Sequence, residues 1–245
     1  MPDTQVKAGV STKHLEAAGN YIAAKRPDVI VHIGDHWDLP SLSGWDSVQK
    51  KVKDKVKYTC ASGDGDIESG NEAFFLLNKA IKKAKNYSPK CYFTLGNHEQ
   101  RIERFREEFP HLGGAVSYDD LNFEGWKVIP YLKPVIVDGV AYAHFFHPHL
   151  SPRPYGGTIA NMLNRIGYSF TMGHRPGLEV GRKALTNGSV LRGVVAGSFY
   201  SHFEEYKGHQ GNAAQWNGLV VKHEVRKGNY SLMEVGMDYL LKHYL

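Results

Sequence analysis

The sequence predicts an α/β fold in which parallel and antiparallel strands mix, and three observations carry that prediction. Early in the chain, short apolar runs alternate with segments of helical periodicity. Late in the chain, apolar runs are joined as hairpins by Asp138-Gly139, by Asn187-Gly188 and near Lys227-Gly228. Across all 245 residues, 42% hydrophobic, there is no internal repeat, low-complexity tract or interdomain linker, so one domain over residues 1–245 is expected.

The elements follow in order. Met1 to Gln5 carry polar groups before any regular structure, and Ser11 or Thr12 can cap a helix running to about Arg26 with Leu15, Ala18 and Ile22 on one face. Val29 to Ile33 is a buried strand that stops at Gly34-Asp35. Pro40 to Gly44 reads as a loop on the same side. Lys50 to Lys57, rich in alternating Lys and Val, reads as a solvated edge or a phosphate-tracking patch, and Gly63 to Gly70 as a polar connector. A helix from about Ser69 to Lys85 buries Phe74, Leu77 and Ile81, with Lys79, Lys82, Lys83 and Lys85 in water. Cys91 to Leu95 is a second buried strand ending in Gly96-Asn97-His98-Glu99, and a helix through Gln100–Phe109 bears Arg101, Arg104 and Arg106. The Asp138-Gly139 hairpin delivers His144. A short helix over Gly157–Arg165 precedes a strand, Tyr168–Met172, that ends in Gly173-His174. Trp216 to Val235 forms the last two strands.

Composition bounds the function. No apolar run is long enough to span a bilayer and no signal-peptide pattern opens the chain. Two cysteines make no disulfide framework, so a reducing cytoplasm is the default. A net charge of +5 permits an anionic partner such as nucleic acid without requiring one. Four strands share one ending, an apolar body followed by Asp35, Asn97, His144 or His174. A carboxylate at the end of a buried strand is costly unless compensated. Asp, Asn and His together offer hard oxygen and borderline nitrogen donors suited to Mn, Fe or Zn.

The order Asp-x-Gln at Asp3, Gly-Asp-x-x-Asp at Gly34, Gly-Asn-His-Glu at Gly96, a strand-end His144 and Gly173-His174 resembles the calcineurin-like metallophosphoesterase family, in particular small members from bacteriophages and bacteria. The resemblance covers roughly Asp3 to Ser198. It implies two mixed β-sheets packed face to face and flanked by helices in four layers, with the site at the strand ends. It also implies a metal-dependent phosphoester hydrolase. Asp35 matches a carboxylate bridging two metals. Asn97, His144 and His174 match ligands of the second metal, with Asn97 also on substrate phosphate. Asp3 matches a ligand of the first metal. His98 matches the catalytic histidine beside the scissile phosphate, oriented by Glu99 or Asp38. Two ions ~3.5–4 Å apart would neutralise phosphoryl oxygens and activate a hydroxide, while His98 assists the leaving group. The ions are divalent, Mn²⁺ foremost, with Fe, Zn or Mg as alternatives.

The chain departs from that pattern at the first site. Gln5 stands where the family has a histidine ligand, and Pro176 where it has another. The second site is therefore expected to be tight and the first weak. Arg175 is a candidate to pair with a phosphate oxygen in place of a metal. Arg101 is a candidate substrate contact, and His36, His147 or His149 are candidates to rescue the first site. His202 and His209 read as surface residues. Only Met1 and Pro2 precede Asp3, so either the strand that should carry it is absent or the sequence begins late, and an absent strand would leave unpaired backbone beside it. The favoured activity is a phosphodiesterase or nuclease acting on DNA or RNA in the cytoplasm, the host's if phage-encoded. A phosphomonoesterase on nucleotides or phosphoproteins, or a non-catalytic nucleic-acid- or protein-binding member, stays open.

Overall fold

The computed structural model describes residues 1–43, 65–204 and 207–245. The Lys50–Lys57 segment and the first residues of the Gly63–Gly70 connector lie outside them. Helix α1 (Lys13–Lys25) leads into β1 (Val29–His32). Helix α2 (Asp66–Lys83), β2 (Lys90–Thr94), α3 (Arg101–Glu108) and β3 (Lys127–Ile129) follow. The three strands form a parallel sheet in that order, which requires crossovers of the length that the helical segments supply. Next come β4 (Val135–Val137), β5 (Val140–Tyr142), α4 (Ile159–Ile166), β6 (Phe170–Met172), β7 (Leu178–Ala184) and β8 (Val190–Ala196). They build a mixed sheet in the order β4-β5-β6-β8-β7. Helix α5 (Gly208–Ala213), the antiparallel pair β9 (Gly218–Arg226) and β10 (Asn229–Gly236), and helix α6 (Met237–Tyr244) complete the described chain.

Three apolar clusters set the layers. Leu15, Ala18 and Ile22 of α1, Phe74, Leu77 and Ile81 of α2, and Leu240 of α6 pack with Ile30 and Phe93 of the parallel sheet. Ile33, just past β1, packs with Val140, Val194 and Ala196 of the mixed sheet and Tyr230 of β10. Met162 and Leu163 of α4 pack with Phe170, Met172 and Val195 on the far side of the mixed sheet. Helix, sheet, sheet, helix is the four-layer arrangement that the resemblance implies. Two hairpins turn as their residues require: Asp138 and Gly139, like Lys227 and Gly228, all have positive φ, the geometry that matches strand twist.

The differences from expectation have physical reasons. Thr12 occupies the cap position of α1, but its hydroxyl makes no capping bond. Helix α2 begins at Asp66 rather than Ser69, because the Asp66 carboxylate accepts the Ser41 N–H and O–H at 3.0 and 2.6 Å and ties the helix start to the turn after β1. Helix α6 and strand β3 are too short for periodicity to reveal. The largest correction concerns the first residues. Met1 to Val6 run alongside β1 and its continuation. Ile33 N–H donates to the Met1 carbonyl, the Thr4 and Gln5 N–H groups to Asp35 O, and Phe199 N–H to Asp3 O at 2.7 Å. Isolated bridges join Asp3 to Ser198 and Val6 to Trp37. The segment thus does the pairing expected of the missing strand.

One polar group between the sheets is a stability liability. Lys222 on β9 is half-buried, its amine donating to Tyr142 Oη at 3.2 Å and to Thr171 Oγ1, with the Tyr142 and Tyr230 rings at 4.3 and 4.8 Å. Burial holds its pKa well below the ordinary lysine value of 10.5. A depressed folded pKa means the group's contribution is fully present above 10.5 and is lost as pH falls toward the folded value. Lys222→Met is therefore expected to flatten that part of the stability–pH curve. It should raise stability at pH 7 by roughly 1–2 kcal/mol, read by urea unfolding at pH 7 and pH 10. A loss of stability at pH 7 would mean the amine's hydrogen bonds outweigh its desolvation.

Candidate metal centre

The residues just past β1, β2 and β6 line one cavity of about 410 Å³, and His144, past β5, lies directly behind them against Asp35, Asn97 and His174. Each strand presents its ligand candidate just past its end: Asp35 after β1, Asn97 after β2, His144 after β5 and His174 after β6. Gly34 (φ 89°) turns the chain out of β1 so close to β2 that a Cβ would sit 2.6 Å from Thr94 O. At Gly96 a Cβ would fall 2.1 Å from Asp35 Oδ1, so the second strand's glycine makes room for the first strand's carboxylate. Asp35 (φ 52°), His174 (φ 65°) and Gln5 (φ 37°) hold left-handed backbone, a strain of order 1–3 kcal/mol each. Local bonds maintain it. Glu99, fully buried, accepts the N–H groups of Asp35, His36, Trp37 and Gly96 at 2.7–3.2 Å. The His174 N–H donates to the Asp3 carboxylate at 3.1–3.2 Å.

Four donor atoms converge. Asn97 Oδ1 lies 2.8 Å from both His144 Nε2 and His174 Nδ1, those two nitrogens are 3.2 Å apart, and Asp35 Oδ2 is 3.2 Å from His144 Nε2. The ring of His144 is aimed by Nδ1–H donating to Ile33 O at 2.9 Å, which leaves Nε2 as the donor atom toward the centre. Asp35, His144 and His174 form a group whose ligand atoms all lie within 4.8 Å of one another. The electrostatics call for a cation there. Burial opposes charge on His144, yet Asp35 and Asp3 push it up to about 10. Burial also works against the Asp35 carboxylate, but His144 and His98 hold it well below the usual carboxylate range. Burial and the His144 charge lower His174 to about 4, keeping it neutral.

Asp3 and Gln5 line the same cavity. Burial raises Asp3 to about 6. Gln5 Oε1 is buried without a hydrogen-bond partner among the described residues. Pro176 also lines the cavity and offers no donor. The residues present thus fit one ion at Asp35, Asn97, His144 and His174, and beside it, among the described residues, stand Asp3, the shared Asp35 and Gln5. A further group, Asp38, His202 and Glu204, has ligand atoms within 4.8 Å of one another, but the Lys7 ammonium already lies 3.0 Å from Glu204 and 3.6 Å from Asp38.

His98 stands beside this centre. Its N–H donates to Asp35 Oδ1 at 2.9 Å, and its ring Nδ1 lies 2.8 Å from Asp38 Oδ1. Nε2 is left facing the cavity, 3.6 Å from Asp35 Oδ2 and 3.1 Å from Arg101 Nη2. Burial lowers the His98 pKa, but Asp35 and Asp38 outweigh it and lift the ring above the ordinary histidine value. Between the two candidates to orient this ring, the geometry selects Asp38. Glu99 instead braces the backbone around Asp35. Arg101 sits in the cavity wall, anchored on Asp38 O and Leu39 O at 2.5 and 3.3 Å.

Other expectations are corrected. Arg175 does not join the cavity: its guanidinium is spent on Gly157 O at 3.0 Å and on Glu179. His36 is committed to Thr4 Oγ1 at 2.7 Å and Gly70 O at 2.9 Å, and His147 to Pro148 O and Ser151 O. His149 is exposed. None of them completes the first site. His209 is exposed as expected, whereas His202 is half-buried, stacked on Tyr200 and paired with Glu204. Sequence reasoning missed Lys7, Ser198, Tyr200, Glu204 and Lys207, which line the cavity. For Lys7 a signal existed: Asp3, Gln5 and Lys7 alternate, which in extended chain puts them on one face.

Residues 3–204 match the model of a phosphoesterase family. That family is the calcineurin-like phosphoesterases, to which the chain belongs. The chain is also similar to the Gene 54 protein of Mycobacterium phage D29, 24% identical over 181 residues. The alignment covers 70% of this chain and 66% of that protein, just under two thirds of its length. No helix among the described residues is long and apolar enough to cross a membrane.

Proposed function

We propose that the enzyme is a phosphodiesterase acting on nucleic acid, with a divalent ion, Mn²⁺ foremost, held by Asp35, Asn97, His144 and His174. The convergence of Asp35 Oδ2, Asn97 Oδ1 and His174 Nδ1 within 3.2 Å of His144 Nε2 carries the metal-dependent part of this reading. The ion, when bound, supplies Lewis acidity toward phosphoryl oxygen and water. The chain's own residues do the rest. Asn97 and Arg101 hold the non-bridging oxygens of the scissile phosphate. Water's oxygen bonds to phosphorus, giving up one proton to solvent, as the phosphorus–oxygen bond to the leaving group breaks. His98, held by Asp38, gives its proton to the departing oxygen. Net charge of +5 and the arginines of α3 suit a polyanion.

The test compares esters. With Mn²⁺, bis-p-nitrophenyl phosphate is expected to be hydrolysed well and the monoester poorly, and affinity for DNA to fall steeply with salt. Preferred cleavage of the monoester would replace the diesterase reading with a phosphomonoesterase.

A further inference from the structure

The cavity that gathers the ligand candidates also gathers two lysines. Lys7 follows Gln5 on the same face of the first segment and lines the cavity beside Asp3 and Gln5. Of its three N–H donors, one goes to Glu204 Oε1 at 3.0 Å, while Asp38 Oδ2 stands at 3.6 Å. Lys207 lines the same cavity, its ammonium bonded to Tyr200 Oη. Burial lowers the Lys207 pKa below the ordinary lysine value, against the opposing pull of Asp3, Glu204, Asp38 and Asp35. Two lysines therefore line the cavity in which Gln5 and Pro176 stand in place of two imidazole donors. The buried Gln5 Oε1 has no hydrogen-bond partner among the described residues, which leaves it as an acceptor for a group bound in the cavity.

Charge bookkeeping points the same way. Four carboxylates, Asp3, Asp35, Asp38 and Glu204, line the cavity together with Lys7, Arg101, Lys207 and His98. With His98 protonated as the leaving-group acid these charges balance, and one divalent ion adds the positive excess that suits an anionic phosphodiester. A second dication would add to two ammonium groups with no further carboxylate to balance it.

We infer that Lys7 and Lys207 replace the first metal ion, so that the enzyme works with one ion per chain and binds the substrate's phosphoryl oxygens between that ion and the two ammonium groups. This rests on the phosphoesterase site proposed above and names how it holds its phosphate. It moves the guanidinium substitution expected of Arg175 to two lysines that line the cavity.

The test counts metal and measures phosphate. Purified protein is titrated with Mn²⁺, and bound metal is read by elemental analysis and electron paramagnetic resonance. One ion per chain with the six-line spectrum of isolated Mn²⁺ is expected. Two ions in a spin-coupled pair overturn the inference. Binding of inorganic phosphate to the Mn²⁺-loaded protein is then measured by calorimetry. Lys7→Met and Lys207→Met are each expected to weaken it roughly 10–100-fold, the worth of a charge-assisted hydrogen bond, with the metal count unchanged. Lys7→Gln and Lys207→Gln, which keep a donor in place, serve where a Met variant does not fold. Phosphate affinity unchanged in the variants of both lysines also overturns it. If one ion and lysine-dependent phosphate binding are found but no phosphoester is turned over, the hydrolase reading fails and the charge replacement stands.

Discussion

Asp35→Asn is expected to strip the protein of its metal ion while leaving the fold intact. The substitution keeps the shape of the side chain and an oxygen for the His98 N–H, which reaches Asp35 Oδ1 at 2.9 Å. It removes the negative charge that pairs with His144 at 3.2 Å and balances any cation among the donor atoms. Losing an outer partner of a ligand typically costs ~10–100-fold in metal affinity, and losing a charged ligand should cost more. Because the ion's transition-state contribution is worth several kcal/mol, turnover should fall roughly 10³–10⁴-fold. Calorimetric Mn²⁺ titration and steady-state kinetics read the two effects, and circular dichroism checks the fold. Wild-type Mn²⁺ affinity in the variant would remove Asp35 from the centre. Asp35→Glu should fail as well, because Gly96 already leaves no room around the carboxylate.

Much of this centre was legible in the sequence, and the residues that were not explain the limit. Asp35, Asn97, His144 and His174 follow short apolar runs, and parallel strands bring their carboxyl ends together whatever the loops do. The tight backbone at Gly34 and Gly96 is likewise a property of local sequence. Glu204 and Lys207 come from the chain beyond β8, where no periodicity marks which side chains turn inward. Arg175 misled for a related reason. It neighbours His174 in sequence, but with His174 at φ 65° the chain turns, and Arg175 reaches Glu179 instead of the cavity. The first strand was misjudged because pairing was equated with strand length. A few residues suffice when Ile33, Asp35 and Phe199 each offer a backbone partner. Sequence leaves Glu99 and Asp38 as equal candidates to orient His98, because adjacency in a motif does not reveal contact; the Glu99 carboxylate serves four backbone N–H groups instead.

His98→Ala separates binding from chemistry. His98 is not among the four converging donors, so the metal count should be unchanged, while kcat falls ~10²–10⁴-fold as for a lost general acid. The size of the loss should depend on the leaving group. A p-nitrophenolate departs without needing a proton, so the variant should retain most of its activity on bis-p-nitrophenyl phosphate. A nucleoside alkoxide needs the proton, so the full loss should appear with a dinucleotide or DNA. Asp38→Asn should lie between the two, since it keeps an oxygen 2.8 Å from Nδ1 but removes one of the two carboxylates that lift the His98 pKa. Equal losses on both leaving groups would assign His98 to holding phosphate rather than to donating a proton. In that case Arg101, 3.1 Å from His98 Nε2, would act with it on the same oxygens, and Arg101→Ala should then raise KM by a factor similar to that of His98→Ala.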